Sequence, residues 1–190
     1  MSRCIAVFSG SSEHAPAAYH EAARELGRRL GKAGWSMVFG GGMTGLMGAT
    51  ARGVHDANGR VIGVIPERLN RSGVRYEVAD ELHVTSTLRQ RKAEMDRRAN
   101  GFVVLPGGFG TLEEAVETIT LKQLGYHRRP VAFLNTDGYY NQLFEFIEHM
   151  VDATFVKEEN LGLYSVFDSP REVVAFLDAA IDEPSMETAP

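Results

Sequence analysis

A chain of 190 residues matches the roughly 100–200 residues of one domain, and 44% hydrophobic residues are enough for a sizeable core. The net charge of −5 argues against a nucleic-acid partner held by a basic surface. Cys4 is the only cysteine, which excludes an intrachain disulfide and a cysteine metal cluster. The opening MSRCIAVFSG lacks the long apolar region of a signal peptide, and no apolar run approaches the ~20 residues of a membrane span. A cytoplasmic, soluble, globular protein is expected, without nucleic acid or membrane as partner. The 16 arginines against 4 lysines suit bidentate contacts to phosphate or carboxylate, although a GC-rich genome gives the same bias.

In chain order, short apolar runs alternate with amphipathic stretches. Residues 4–10 (CIAVFSG) read as a strand ending in Gly-Ser. Residues 14–33 read as a helix with Ala18, Ala22, Leu26 and Leu30 on one face. Residues 35–42 (WSMVFGGG) form a second strand ending in glycines. Residues 45–57 form a helix with Leu46, Thr50 and Val54 on one face, and 60–66 (RVIGVIP) a strand closed by proline. Residues 67–80 are polar and irregular. Then come a short strand at 81–85, a basic helix at 86–99 and a strand at 101–106. A helix at 111–125 should pack on the sheet through Leu112, Ala115, Val116 and Ile119. A strand at 130–135, a helix at 137–153, a strand at 164–168 and a helix at 170–182 complete one domain over residues 1–182. Residues 183–190 are expected to be a frayed tail.

Strands that are continuous apolar runs, with helices between them, imply a parallel sheet covered on both faces. The fold class expected is therefore α/β, a Rossmann-like doubly wound parallel sheet. Such sheets bind ligands beyond the C-terminal ends of their strands. Three strands here end in glycine-rich turns: SGSS, GGGMTG and PGGFG.

The stretch PGGFGTLEE (106–114) carries the strongest chemical signal. Gly107, Gly108 and Gly110 let the backbone approach a ligand closely. The helix that follows offers free N–H groups and a favourable dipole to an anion. Thr111 sits where an N-cap belongs, and Thr111-Leu112-Glu113-Glu114 also reads as a capping box in which Glu114 bonds back to the cap. That alternative explains the threonine and one glutamate, but not three glycines. In GGGMTGLMGA, Gly40, Gly42 and Gly45 match the dinucleotide fingerprint, with Glu67 about 20 residues on. A phosphate or ribose contact by Gly42 and Gly45, or tight helix–strand packing, explains the glycines equally well. In RQRKAEMDRR, Arg91, Met95 and Arg98 share a helix face. Either that face supplies an arginine to a nucleotide, or the helix is solvated and Glu94–Arg98 is an i, i+4 pair.

Other sites are disfavoured. His14, His20, His55, His83, His127 and His149 form no H-x-x-x-H pair, and no G-x-S-x-G elbow occurs. Cys4 near a strand start reads as core. Tyr139-Tyr140 and Phe144 and Phe146 read as packing or as a subunit contact.

GGGMTGLMG, RQRKAEM and PGGFGTLEE, in this spacing, resemble the LONELY GUY (LOG) family of cytokinin riboside 5′-monophosphate phosphoribohydrolases, once labelled lysine decarboxylase-like. The similarity covers about residues 3–180. Pro106, Gly107, Gly108, Gly110, Thr111 and Glu114 meet the family pattern P-G-G-x-G-T-x-x-E, and Arg91 and Lys92 meet its R-K pair. The resemblance implies a homodimer and no metal or redox cofactor. It implies Arg91 and Glu114 as catalytic pair and Thr120 near the ligand. It also implies hydrolysis of the N-glycosidic bond of a purine nucleoside 5′-monophosphate, with Lys92, Gly107, Gly108, Gly110 and Thr111 binding the substrate. No pyridoxal phosphate motif surrounds any of the four lysines. The chain has Asn100, Leu88-Arg89-Gln90 and SGSS where the family often differs, which leaves the preferred base open. An NAD(P)-dependent oxidoreductase using GGGMTG and a non-enzymatic nucleotide carrier are the alternatives.

Overall fold

The computed structural model describes residues 3–182; the expected frayed tail, 183–190, lies outside them. Seven strands form one sheet: β1 (Cys4–Phe8), β2 (Ser36–Phe39), β3 (Val61–Pro66), β4 (Glu81–Thr85), β5 (Gly101–Val104), β6 (Val131–Leu134) and β7 (Ser165–Phe167). Their spatial order is β4-β3-β2-β1-β5-β6-β7, and every pairing is parallel. The five inner strands are buried along their whole length, whereas β4 and β7, at the edges, alternate. Continuous apolar runs thus mark the strands covered on both faces.

Among the described residues, six α-helices cover the sheet: α1 (Ala17–Lys32), α2 (Gly45–Asp56), α3 (Leu88–Arg98), α4 (Phe109–Gln123), α5 (Asn141–Asp152) and α6 (Pro170–Asp182). Alternation along β1 separates two cores. Ile5 and Val7 pack with α1, α2 and α6; Cys4, Ala6 and Phe8 pack with Met95 of α3, Ala115 of α4 and Tyr140 before α5. Cys4 is core, and burial pushes its thiol up to about 11.

Two helix faces differ from expectation. In α1 the buried stripe is Ala23, Leu26, Gly27, Leu30 and Gly31, while Ala18 is exposed. The two glycines decide this: a Cβ on Gly27 would lie 2.1 Å from the Thr50 carbonyl oxygen of α2, so the helices meet backbone to backbone. In α4 the face turned inward is Thr111, Glu114, Ala115 and Thr118; Val116 is half exposed. Of the four apolar residues expected to pack on the sheet, Ala115 and Ile119 do so, and they share the inner side with the polar Thr111, Glu114 and Thr118.

The helix ends also correct the sequence reading. The N-cap of α4 is Gly108, without a side-chain cap, so the helix starts two residues before Thr111. A capping arrangement exists instead at α3, where Thr87 Oγ1 accepts from Gln90 N at 3.1 Å and Gln90 Oε1 accepts from Ser86 N. Among the described residues, no helix is long and apolar enough to cross a membrane.

Candidate active site

The chain runs from β1 outward to β4, then returns to place β5 on the other side of β1. Loops leaving β1 and β5 therefore diverge and open a crevice at the C-terminal edge of the sheet. Gly10 N donates to the Pro106 carbonyl at 3.0 Å, tying the two loops together at their base. The crevice has a volume of about 400 Å³ and is lined by Gly10, Ser11, Ser12, Leu46, Gly107 and Tyr139, among others.

Close packing explains Gly107. A Cβ there would lie 2.2 Å from Thr111 Oγ1 and 2.8 Å from Gly10 N. Gly108 and Gly110 differ: a Cβ at either meets nothing within 4 Å. Their lack of side chains leaves open space over the start of α4. The N–H groups of Phe109, Gly110 and Thr111 open the helix, ahead of the bond from Leu112 N to the Gly108 carbonyl at 3.0 Å. Unpaired N–H groups at a helix start are the kind of donors an anion would use. Two tyrosines hold the turn from behind: Tyr139 Oη donates to the Gly107 carbonyl and Tyr140 Oη to the Leu105 carbonyl, each at 2.7 Å.

One turn into α4, Glu114 Oε1 accepts a hydrogen bond from Arg91 Nη2 at 2.8 Å. The side chains are 8% and 16% exposed. Glu114 makes no capping bond back to residue 111, so the capping-box alternative falls away. Arg91 reaches the site across a third glycine turn: a Cβ on Gly40 would meet its Nη2 at 2.2 Å. Its Nε is buried without a hydrogen-bond partner. Burial raises the Glu114 carboxyl above its ordinary value, and the Arg91 cation works in the opposite direction.

The remaining candidates are distributed as follows. Lys92 Nζ contacts Glu113 and lies 2.9 Å from Glu117 Oε2, at the rim of a second cleft that Glu114 also lines. Thr120 is not brought to the crevice: it lies on the outward face of α4, where Oγ1 donates to the Val116 carbonyl. Arg98 pairs with Glu94 and Glu81 beside edge strand β4. Gly42 forms a bridge to Arg75, and Gly45, at φ 58°, packs on Ser11. The N–H groups of Leu46 and Met47 donate to the Gly10 carbonyl at 3.0 and 3.3 Å. The start of α2 is thus spent on a protein acceptor, where a dinucleotide fingerprint would offer it to a pyrophosphate.

Sequence reading gave Tyr139 and Tyr140 a packing or subunit-contact role, which Tyr140 fills in the core, but missed their hydrogen bonds to the turn and a latch over the GGGMTG turn. In the latch, His55 Nδ1 lies 2.9 Å from Tyr76 Oη and His55 Nε2 lies 3.0 Å from Asp80 Oδ2. Tyr76 N donates to the Gly41 carbonyl, so residues 67–80 are fastened down at this point. Nothing in local spacing signals these contacts, which join separate loops.

The fold and crevice define the class: an α/β protein of Rossmann type with a glycine-rich turn at an open helix N-terminus and a buried arginine–glutamate pair beside it. A family model described as "Possible lysine decarboxylase" matches residues 47–177. The cytokinin riboside 5′-monophosphate phosphoribohydrolase LOG of Oryza sativa subsp. japonica is 42% identical over 181 residues, covering 95% of this chain and 75% of the relative. The Arabidopsis thaliana phosphoribohydrolase LOG7 is 47% identical over 152 residues, covering 80% and 70%. The chain belongs to the LONELY GUY (LOG) family. Among solved structures, the molybdenum cofactor binding protein of Rippkaea orientalis superposes with a TM-score of 0.74 at 21% identity, over 95% of this chain and 98% of the other. The Moco carrier protein of Chlamydomonas reinhardtii gives 0.72 at 22%, over 95% and 98%. These two likenesses concern the fold alone.

Proposed function

We propose that this protein hydrolyses the N-glycosidic bond of a purine nucleoside 5′-monophosphate, as the names of its relatives state for cytokinin riboside monophosphates. The products are the free base and ribose 5-phosphate. The observation that carries the reading is the Arg91–Glu114 pair, buried one helical turn from an open helix N-terminus. The substrate phosphate is held by the N–H groups at the start of α4, with Gly107, Gly108, Gly110 and Thr111 around it. Ribose then lies over Glu114. As the bond from C1′ to the base nitrogen breaks, its electron pair leaves with the base and positive charge develops on the sugar. The Glu114 carboxylate stabilises that charge and takes a proton from the attacking water, whose oxygen bonds to C1′, while the departing base takes up a proton from solvent and Glu114 returns its own to solvent afterwards. Arg91 positions Glu114 and favours its ionised form.

The same reading makes the protein a homodimer, acting as one domain over residues 1–182 in the cytoplasm without metal or redox cofactor. A dimer is supported by the apolar residues that α4 and α5 leave open to solvent. Val116, half exposed, and the partly buried Leu112 and Ile119 join Phe146, Ile147 and Met150 of α5 around an apolar groove of about 420 Å³. A monomer exposing such a groove leaves a large apolar patch in water.

Incubation with AMP and with isopentenyladenosine 5′-monophosphate in ¹⁸O-labelled water tests the chemistry. Free base with ¹⁸O at C1 of ribose 5-phosphate is expected from at least one substrate. Tight binding of both without base release would overturn the reading in favour of a nucleotide carrier.

A further inference from the structure

Gly40, Gly41 and Gly42 follow β2, and the N–H groups at the start of α2 beyond them already donate to the Gly10 carbonyl. A dinucleotide therefore does not explain the glycine run. A Cβ on Gly40 would lie 2.2 Å from Arg91 Nη2, 3.1 Å from its Cζ and 3.4 Å from its Nε, so three guanidinium atoms rest against the Gly40 backbone. We propose that Gly40 is a positioning residue for the reaction: it seats the Arg91 guanidinium so that Nη2 meets Glu114. The inference rests on the phosphoribohydrolase reading and adds to it a residue that acts through Arg91.

Arg91 needs such a seat. Its side chain is 16% exposed, its Nε is buried without a partner, and among the described residues its guanidinium makes one hydrogen bond, from Nη2 to Glu114 Oε1 at 2.8 Å. A bidentate arginine–carboxylate pair fixes its own geometry, but a single bond leaves the long side chain free to swing about it. A wall against the guanidinium removes that freedom, and only a residue without a Cβ lets the wall stand this close.

The wall itself is held from behind. The Gly41 carbonyl accepts from Tyr76 N at 2.8 Å, Met43 N donates to the Val74 carbonyl at 2.9 Å, and Gly42 bridges to Arg75. On the other side stands β3: a Cβ on Gly41 would lie 3.1 Å from Ile65 Cβ, and Gly41 has a φ of 74°. Gly41 is thus a glycine for the fold. Gly40 is outside the left-handed region, so its own backbone accepts alanine. A methyl group there meets the far end of a flexible side chain in front and a strapped turn behind. The arginine is what moves.

The test is a double-mutant cycle of Gly40→Ala and Arg91→Ala, read by base release from AMP and from isopentenyladenosine 5′-monophosphate and by ¹³C NMR titration of the Glu114 carboxyl. Gly40→Ala is expected to lower kcat by about tenfold or more and to change KM by less than about threefold. Burial raises the Glu114 carboxyl most, Arg91 lowers it, and Glu113, Lys92 and Glu117 act beside them. Displacing Arg91 alone should therefore move the Glu114 titration to higher pH. In the Arg91→Ala background the methyl group enters vacated space, so it should change neither kcat nor the titration further. A Glu114 titration unmoved by Gly40→Ala, or a fall in kcat of equal size in both backgrounds, would overturn the seat, because the methyl group would then act on the turn itself. Should Gly40→Ala fail to fold, the double variant should fold as Arg91→Ala does, and failure of both would overturn the seat as well. No base release by the wild type would overturn the hydrolase reading, while the titration would still show whether Gly40 holds Arg91 against Glu114.

Discussion

The Arg91 guanidinium lies 2.8 Å from the Glu114 carboxylate, and the pair is almost sealed from solvent. Its pH behaviour follows from two opposed effects. Burial disfavours the charged carboxylate and raises its pKa from 4.5, while Arg91 pulls it down. The ionised form is the one required, so activity should rise with pH through this raised value, with an acidic limb above that of an ordinary glutamate. The folded state holds the proton more tightly than the unfolded one, so Glu114 contributes less stability as pH rises through the same window. Replacing Arg91 by Leu removes the lowering influence, so the limb should move to still higher pH, with kcat down by about 10² or more. A pH–rate profile checks both, and a limb moving to lower pH would contradict the assignment.

The glycines of the PGG turn should separate by kind. Gly107→Ala drives a methyl group against Thr111 Oγ1 and Gly10 N, and overpacking of this sort costs about 1–3 kcal/mol. Gly108→Ala meets no atom and has an ordinary φ of −93°. Its melting temperature should stay near the wild-type value while nucleotide affinity falls, because the methyl group occupies ligand space. Differential scanning calorimetry and isothermal titration on the two variants distinguish these outcomes.

The outward face of α4 gives a third prediction. Val116 is 50% and Phe146 56% exposed. Changing both to Glu places charges where a second copy would pack, so sedimentation should show monomer where the wild type shows dimer. A wild type that is monomeric at micromolar concentration would contradict the dimer.

The latch over GGGMTG gives a fourth. Tyr76→Phe removes the 2.9 Å contact to His55 Nδ1, and loss of one such hydrogen bond costs about 0.5–1.5 kcal/mol. Faster amide exchange confined to residues 67–80 is expected. Uniform acceleration across the sheet would mean that Tyr76 supports the core and not the loop.

How much of this was legible in the sequence depended on the range of the physics involved. Buried parallel strands announce themselves as apolar runs, so Val61–Pro66 and Gly101–Val104 could be read directly. The helix face of α4 could not. Periodicity assigns apolar residues to the core, yet this helix turns Thr111, Glu114 and Thr118 inward because a polar crevice lies there. The conflict between pattern and packing is partial, because Ala115 and Ile119 pack on the core as the pattern predicts. In α1 the contact surface with α2 includes Gly27 and Gly31, which a pattern of apolar residues does not pick out. Arg91 and Glu114 were legible through motif resemblance, while Tyr139, Tyr140 and the His55–Tyr76–Asp80 latch depend on contacts between distant loops.

The most direct measurement is made on Glu114→Gln, with nucleotide affinity and single-turnover base release determined on the same protein. Gln keeps the shape and can still accept from Arg91, but it neither balances the sugar's positive charge nor takes a proton. Affinity within about threefold of wild type and a rate lower by about 10³ or more are expected. Base release at the wild-type rate would contradict the role of Glu114 and with it the proposed mechanism.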